Sequence, residues 1–210
     1  MSEYLDYGFE NDRLTHAYSY LMHPLLNLLE DNHDRVILDL GCGNGSLAKV
    51  LIEKGYIVYG TDASEKGIKI AGKEHPERFA VQNLESDDLP PQFRQLKFDT
   101  IVSTEVIEHL YHPRKVIQLS RSILQKNGGG NLIISTPYHG YLKNLIISLT
   151  GNWDMHMNPL WDGGHIKIWS RNTLTKLLEE EGFHVTHFKG CGRIPFLWKS
   201  MIIKASIASP

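Results

Sequence analysis

Residues 36–45 are VILDLGCGNG: an apolar run carrying one carboxylate, Asp39, and then glycines at positions 41, 43 and 45. A short run rich in branched apolar residues suits a strand buried on both faces. Glycines placed directly after it let the backbone turn tightly and let a ligand approach closely. The following SLAKVLIEKG predicts a helix near 45–54, with Leu47, Val50 and Leu51 on one face and Gly55 as its stop. Strand, glycine turn and helix make the first unit of a doubly wound α/β domain.

The same segment restricts the ligand. A dinucleotide fingerprint is G-x-G-x-x-G, with a pyrophosphate at the helix N-terminus. Ser46 stands where the third glycine would be, and Asp39 would repel that pyrophosphate. A cofactor with a cationic ammonium and sulfonium, and no phosphate, suits Asp39 better. S-adenosylmethionine is such a cofactor. Taken alone, the turn also admits a purely structural role. YIVYGTD, residues 56–62, adds a second strand ending in Asp62. An acid about 20 residues past the first glycine is placed to accept both ribose hydroxyls. It would equally serve as a cap for a helix from Ser64, and the two roles are compatible.

These segments resemble, in order and spacing, the motifs of class I S-adenosylmethionine-dependent methyltransferases. VILDLGCGNG resembles the first motif and YGTD the second; FDTIVSTEVIEHL (98–110) resembles the fourth, and GGGNLIISTP (128–137) the fifth strand. The match covers roughly residues 35–190. It implies an α/β, doubly wound, mostly parallel seven-stranded sheet of the Rossmann-like kind, whose last strand inserts antiparallel. It also implies an N-terminal helical cover over 1–33 and an insertion, or lid, over 138–169 after the fifth strand. Asp39, Gly41, Cys42, Gly43, Asp62, Ala63, Asn83, Leu84 and Thr104 are the cofactor-binding residues it implies. The family usually has an acid after its third strand, near the adenine amino group. Here Asn83 or Glu85 occupies that region, and an Asn83 side chain would still offer the adenine a hydrogen bond.

The chain has 210 residues and a formal net charge of −2, with both signs scattered, and is expected to form one domain. No basic block or nucleic-acid-binding module is visible, which weighs against a dedicated nucleic-acid binder. Cys42 and Cys191 have no metal or redox spacing, so no disulfide is expected. The start, MSEYLDYGFENDR, is acidic and polar, unlike a secretory signal. No run reaches the ~18 apolar residues of a spanning helix. The expected compartment is a reducing cytoplasm.

Leu14, Ala17, Tyr18, Leu21, Leu25 and Leu28 recur at helical spacing over 13–30, with a kink or break expected at Pro24. That helix either covers the cofactor or packs on the sheet edge. Further strands are expected near 78–82, 98–103 and 131–136, and helices near 64–74 and 113–126. Ser170 should cap a helix with Leu174, Leu177 and Leu178 inward, followed by strands at 183–189 and 198–206. Alternating strands and helices imply a parallel sheet.

Ligands in such sheets bind beyond the carboxyl ends of the strands. STEVIEHL (103–110) lies there. If it is helical, Glu105, Glu108 and His109 face one way. Two close carboxylates repel unless solvated, protonated or bound to a cation. A divalent metal would resolve the conflict, with His109 as third ligand and His165, in GGHIKIW, as a candidate fourth. This pairing resembles the ubiquinone-biosynthesis O-methyltransferases and the small-RNA 2′-O-methyltransferases. In both, the resemblance implies a metal, here on Glu105, Glu108, His109 and His165. Mg²⁺, Mn²⁺, Fe²⁺ and Zn²⁺ all suit that set. A metal-free reading stands beside it and is favoured: Glu105 lines the cofactor pocket, Glu108 is solvated, and His109 caps a helix or acts as base. His165, His109 and Glu105 are the catalytic candidates in either case.

Tyr138, Tyr141, Trp153, Trp161 and Trp169 either wall an acceptor site or form a small satellite core. Leu142, Leu145, Ile146 and Leu149 share one helical face. In the quinone-type enzymes the equivalent insertion is implied to touch membranes. Packing against the domain or another subunit is the alternative. The expected activity is O-methylation of a small hydroxylated, lipophilic acceptor. An RNA 2′-O-methyltransferase and a cofactor-binding, non-catalytic partner subunit are the competing readings.

Overall fold

The apolar run VILDL forms strand β1 (Val36–Leu40) at the centre of a sheet. It pairs in parallel with β2 (Ile57–Asp62) on one side and β4 (Thr100–Thr104) on the other. β3 (Phe79–Val81) extends the sheet beyond β2, and β5 (Gly129–Pro137) extends it beyond β4, again in parallel. β6 (His184–Cys191) and β7 (Ser200–Ala208) complete it. β7 runs antiparallel between β5 and β6, so the order is β3-β2-β1-β4-β5-β7-β6. This is the seven-stranded α/β sheet expected, with the antiparallel strand inserted as the resemblance implied. These relations come from a computed structural model that describes residues 8–30, 32–85, 88–157, 159–161 and 164–208. Residues 1–7 of the expected cover lie outside the described residues.

Both faces of the central strands are buried. Ile37, Val102, Ile133 and Ile202 face one core, while Leu38, Leu40, Ile101, Leu132 and Ile134 face the other. Helices α2 (Ser46–Glu53), α3 (Glu65–Ala71), α4 (Pro113–Lys126) and α7 (Arg171–Glu180) lie between strands. α4 starts at Pro113, where a missing N–H is harmless, and buries Val116, Ile117, Ser120, Ile123 and Leu124 at helical spacing. Ser170 and Thr173 cap α7 reciprocally, each side-chain oxygen accepting from the other's backbone N–H. Leu174, Leu177 and Leu178 point inward as expected.

Helix α1 (Tyr18–Leu29) runs through Pro24 without a break. It buries Leu21, Leu25 and Leu29, so Leu29 rather than Leu28 faces the core, and Leu14 is exposed. It packs on β6 and β7. Past its last turn, Glu30 takes φ 54°, and Lys204 of β7 donates to the Leu28 carbonyl (2.9 Å) and the Glu30 carboxylate (2.7 Å). A buried ammonium thus satisfies the carbonyl end of the helix.

The insertion contains α5 (Tyr141–Thr150) and α6 (Trp153–Met157). α5 is inside out. Lys143 and Ile147 are buried, whereas Leu142, Leu145, Ile146 and Leu149 are exposed. The aliphatic face therefore does not pack on its own domain. The cause lies at the start of the helix: Tyr138 N and Lys143 Nζ both donate to the Lys199 carbonyl, which turns the Lys143 side toward the sheet. No helix among the described residues is long and apolar enough to cross a membrane.

Candidate active site

The glycine turn is held in conformations that other residues resist. Gly43 and Gly45 have φ of 55° and 74°, and a Cβ on Gly45 would meet Ala71 of α3 at 2.5 Å. Asp62 tethers this turn from the end of β2. One of its oxygens accepts from Gly43 N and the other from Ser64 N, both at 2.8 Å. The side-chain cap of α3 is Ser64 itself, whose Oγ accepts from Gly67 N, so Asp62 is not the cap. Asp62→Ala should weaken S-adenosylmethionine binding at least about tenfold, since a charge-assisted bond contributes about 1.5–3 kcal/mol. Unchanged affinity by calorimetry would sink the assignment.

Asp39 is 1% exposed, and neither carboxylate oxygen has a hydrogen-bond partner. Burial, and then the charge of Asp62, push its carboxyl up to about 8. A buried acid left without donors is costly unless a ligand compensates it. A cation does so and a phosphate does not. The residues present therefore fit a sulfonium- and ammonium-bearing cofactor. Thr104, at the end of β4, is also buried, and its Oγ1 lies 2.8 Å from the Tyr18 hydroxyl. Burial, then the charge of Asp39, drive the Tyr18 phenol above its ordinary range. The sequence placed Tyr18 only in the apolar stripe of a helix that either covers the cofactor or packs on the sheet edge; the contact with Thr104 sets its hydroxyl at the end of β4.

Gly41 turns against Val106, and Cys42 is a buried thiol packed against Gly60. Ala63 is half-buried between Asp62 and the Ser64 cap. After β3, where the resemblance implied the adenine contact, Leu84 is buried, but Asn83 is exposed and its Oδ1 accepts from Glu85 N. Gln82, passed over in the sequence, donates through Nε2 to the Asp88 carbonyl and keeps a buried Oε1 without a hydrogen-bond partner.

Beyond β4 the backbone is not an α-helix. Glu105 takes φ 54°, and only Ile107–His109 form a single 3₁₀ turn. The expected alignment of Glu105, Glu108 and His109 on one helical face is therefore absent. Glu105 Oε1 accepts from Ser135 Oγ (2.8 Å) and Ser200 Oγ (2.7 Å), which draws it toward β5 and β7. Glu108 is buried, not solvated as the metal-free reading had it. The reason is the returning insertion, whose Ile166 and Lys167 N–H groups donate to the Glu108 carbonyl. Thr136 Oγ1 donates to Glu108 Oε2 (2.9 Å), and Oε1 has no hydrogen-bond partner. Burial, then the charge of Glu105, raise the Glu108 carboxyl well above the usual range.

His109 Nδ1 lies 3.2 Å from the Gly164 carbonyl, which makes Nδ1 the protonated nitrogen and turns Nε2 toward Glu108 Oε1, 3.9 Å away. The His165 ring lies 5.1 Å from the His109 ring. Burial, then the charge of His109, hold His165 down to about 4, so it is uncharged at neutral pH. Ligand atoms of Glu108, His109 and His165 all fall within 4.8 Å of one another. Three of the four expected ligands are thus together, and Glu105 stands outside the group. Trp161 packs edge-on to His109, and Trp153 lies parallel to His139. Tyr138 packs against Trp198, Trp169 keeps a buried Nε1 without a hydrogen-bond partner, and Tyr141 is 85% exposed and walls nothing.

A buried carboxylate poised for a cation, on this sheet order, defines the S-adenosylmethionine-dependent methyltransferases. The family model for the methyltransferase domain matches residues 13–188, and the chain belongs to that family. The ubiquinone biosynthesis O-methyltransferase of Coxiella burnetii is 27% identical over 156 residues, which is 73% of this chain. The chain spans 65% of that relative's length. The enzyme of the same name from Glaesserella parasuis is 26% identical over 183 residues, covering 81% of this chain and 76% of the relative. Among solved structures, the magnesium protoporphyrin IX methyltransferase of Synechocystis PCC 6803 with bound SAH superposes with a TM-score of 0.62 at 22% identity, over 90% of this chain and 80% of that one. A SAM-dependent methyltransferase from Aquifex aeolicus gives 0.66 at 16% identity, over 94% and 95%. These neighbours share the fold.

Proposed function

We propose that the chain methylates an oxygen of a small hydroxylated acceptor held against Glu108, His109 and His165. The observation that carries this reading is the carboxyl–imidazole group beyond β4, whose Glu108, His109 and His165 ligand atoms lie within 4.8 Å of one another. The names of the curated relatives support oxygen as the atom methylated.

S-adenosylmethionine supplies, when bound, a methyl group already activated on a sulfonium. Asp39 offsets the positive charge of that cofactor, and Asp62 holds the glycine turn that receives it. The remaining need is to align a nucleophile and remove its proton. His165 is uncharged at neutral pH and accepts the hydroxyl proton. His109, fixed through Nδ1 by the Gly164 carbonyl, presents its other nitrogen toward the same group. Glu108, His109 and His165 also fit a divalent metal, because Glu108 Oε1 is buried without a donor and His165 is neutral. A carboxylate with two imidazoles suits Zn²⁺, Fe²⁺ or Mn²⁺. The metal would lower the pKa of a bound hydroxyl.

The test is labelled-methyl transfer into small-molecule extracts, with mass spectrometry and NMR of the product. An O-methylated product is expected. An N- or C-methylated product, or none from protein that binds the cofactor, would reject the reading. A chelator arm separates two roles of His165: full activity after verified metal removal leaves it as the base, whereas activity lost on chelation and restored by a divalent ion makes it a metal ligand with Glu108 and His109.

A further inference from the structure

Gly43 and Gly67 belong to different elements, the glycine turn and the first turn of α3, yet one side chain lies against both. It is Phe9. A Cβ on Gly43 would meet the Phe9 ring at 2.6 Å. A Cβ on Gly67 would meet the same ring at 3.0 Å and the Gly43 carbonyl oxygen at 2.7 Å. Both glycines are buried. Gly43 is left-handed, but Gly67 is helical, where glycine weakens the helix. Space, and not backbone conformation, therefore accounts for Gly67. The ring of Phe9 occupies a slot from which two side chains are missing, and the close approach that glycine permits at position 43 is made by the chain itself.

The backbone that follows Phe9 is tied to the same turn. Residues 10–16 are exposed, so Phe9 is turned inward from an exposed segment. Asn44, 6% exposed, donates through Nδ2 to the carbonyls of Asn11 (2.7 Å) and Arg13 (3.2 Å). Its Oδ1 accepts from Ser46 N at 3.2 Å, so both ends of the amide are used. Lys49 of α2 pairs with Asp12 at 3.4 Å, but a solvent-exposed pair adds little. The buried amide and the ring carry the attachment. Gly43 is thus held by two groups at once: Asp62 accepts from its N–H at 2.8 Å, and Phe9 fills the place of its side chain.

We propose that Phe9 is a positioning residue for the methyl donor. Seated in the two-glycine slot, it holds the glycine turn against Asp62 in the shape that receives S-adenosylmethionine, so seating of residues 9–13 and binding of the cofactor favour each other. A turn that is set before its ligand arrives costs less to order on binding. The coupling is reciprocal: the factor that the seated segment adds to cofactor affinity is the factor that the cofactor adds to seating. The inference needs cofactor binding and no particular acceptor, so it stands or falls apart from O-methylation.

Calorimetry with S-adenosylmethionine, and trypsin cleavage after the exposed Arg13, read the two directions of the coupling without turnover. Phe9→Ala should weaken cofactor binding by about tenfold, within the usual range of coupling between sites. Phe9→Leu refills part of the slot and should recover part of the affinity. Asn44→Asp keeps an acceptor for Ser46 N but offers no donor to the Asn11 and Arg13 carbonyls, and should weaken binding likewise. In the wild type, saturating cofactor should slow cleavage after Arg13 by about the same tenfold, because cleavage follows the population of the open segment. That protection should vanish in Phe9→Ala. A side chain that only packs would lower the melting temperature and move neither readout in folded protein. A folded Phe9→Ala protein that binds the cofactor within about twofold of the wild type, or more tightly, overturns the proposal, since no coupling of the expected size then exists. Wild-type cleavage after Arg13 that the cofactor does not slow overturns it as well.

Discussion

Asp39→Asn should weaken S-adenosylmethionine binding by about a hundredfold, and should raise the melting temperature of the ligand-free protein above pH 8. Both effects follow from one buried carboxyl. Its folded-state pKa of about 8 lies above the ordinary 3.8. The folded protein therefore holds this proton more tightly than the unfolded chain does. The stability it contributes is fully present at pH below 3.8 and is lost as pH rises through about 8. Asparagine has no proton to lose, so it avoids a penalty on the order of several kcal/mol at high pH. The same substitution removes the charge that offsets the cofactor, and leaving a desolvated cation unpaired costs about 3 kcal/mol or more. Linkage adds a signature: below pH 8 the carboxyl must release its proton when the cation arrives. Affinity should climb with pH by up to about tenfold per unit and level off near 8. Calorimetry in buffers of different ionisation enthalpy measures that proton. An affinity independent of pH, or an Asn variant that binds as the wild type does, would show that Asp39 does not face the cofactor.

His165→Ala should lower kcat by about a hundredfold to ten-thousandfold, the usual range for a lost general base, with cofactor affinity retained. The split matters, because His165 reaches Glu108 and His109 rather than the glycine turn. Its pKa of about 4 keeps it unprotonated across the neutral range, so kcat should be flat there, while the KM for S-adenosylmethionine falls toward pH 8. Partial rescue by added imidazole would assign the loss to the missing ring. A His165→Ala enzyme within about threefold of the wild type would remove the residue from the chemistry, by comparison with the loss expected of a base.

The parts of the fold with strong local signals were legible. VILDL, with branched residues and no polar break except Asp39, could only be a buried strand, and Pro113 marked the first residue of α4. The glycine turn was legible for the same reason; Asp62 was legible because it ends β2, the strand paired beside β1, which brings it to Gly43 N across 19 residues. Glu105 was not. A left-handed residue breaks the i, i+3 relation, and the serines that draw it aside come from β5 and β7, 30 and 95 residues away. The burial of Glu108 likewise depends on Ile166 and Lys167 returning from the insertion. In α5, periodicity showed that an aliphatic face existed but not which way it turned. The Lys199 carbonyl decided that, and it put Lys143 inside.

The placement of β7 bears on how this chain is made. Of the seven strands it leaves the ribosome last, yet it lies inside the sheet. Its Ile202 supplies part of the surface under α1, its Lys204 seals the end of that helix, and its Ser200 holds Glu105. The glycine turn and Asp62 are exposed to the cell well over a hundred residues of synthesis earlier. A nascent chain ending before Ser200 therefore carries a recognisable donor loop with no seat for its cover and no anchor for Glu105.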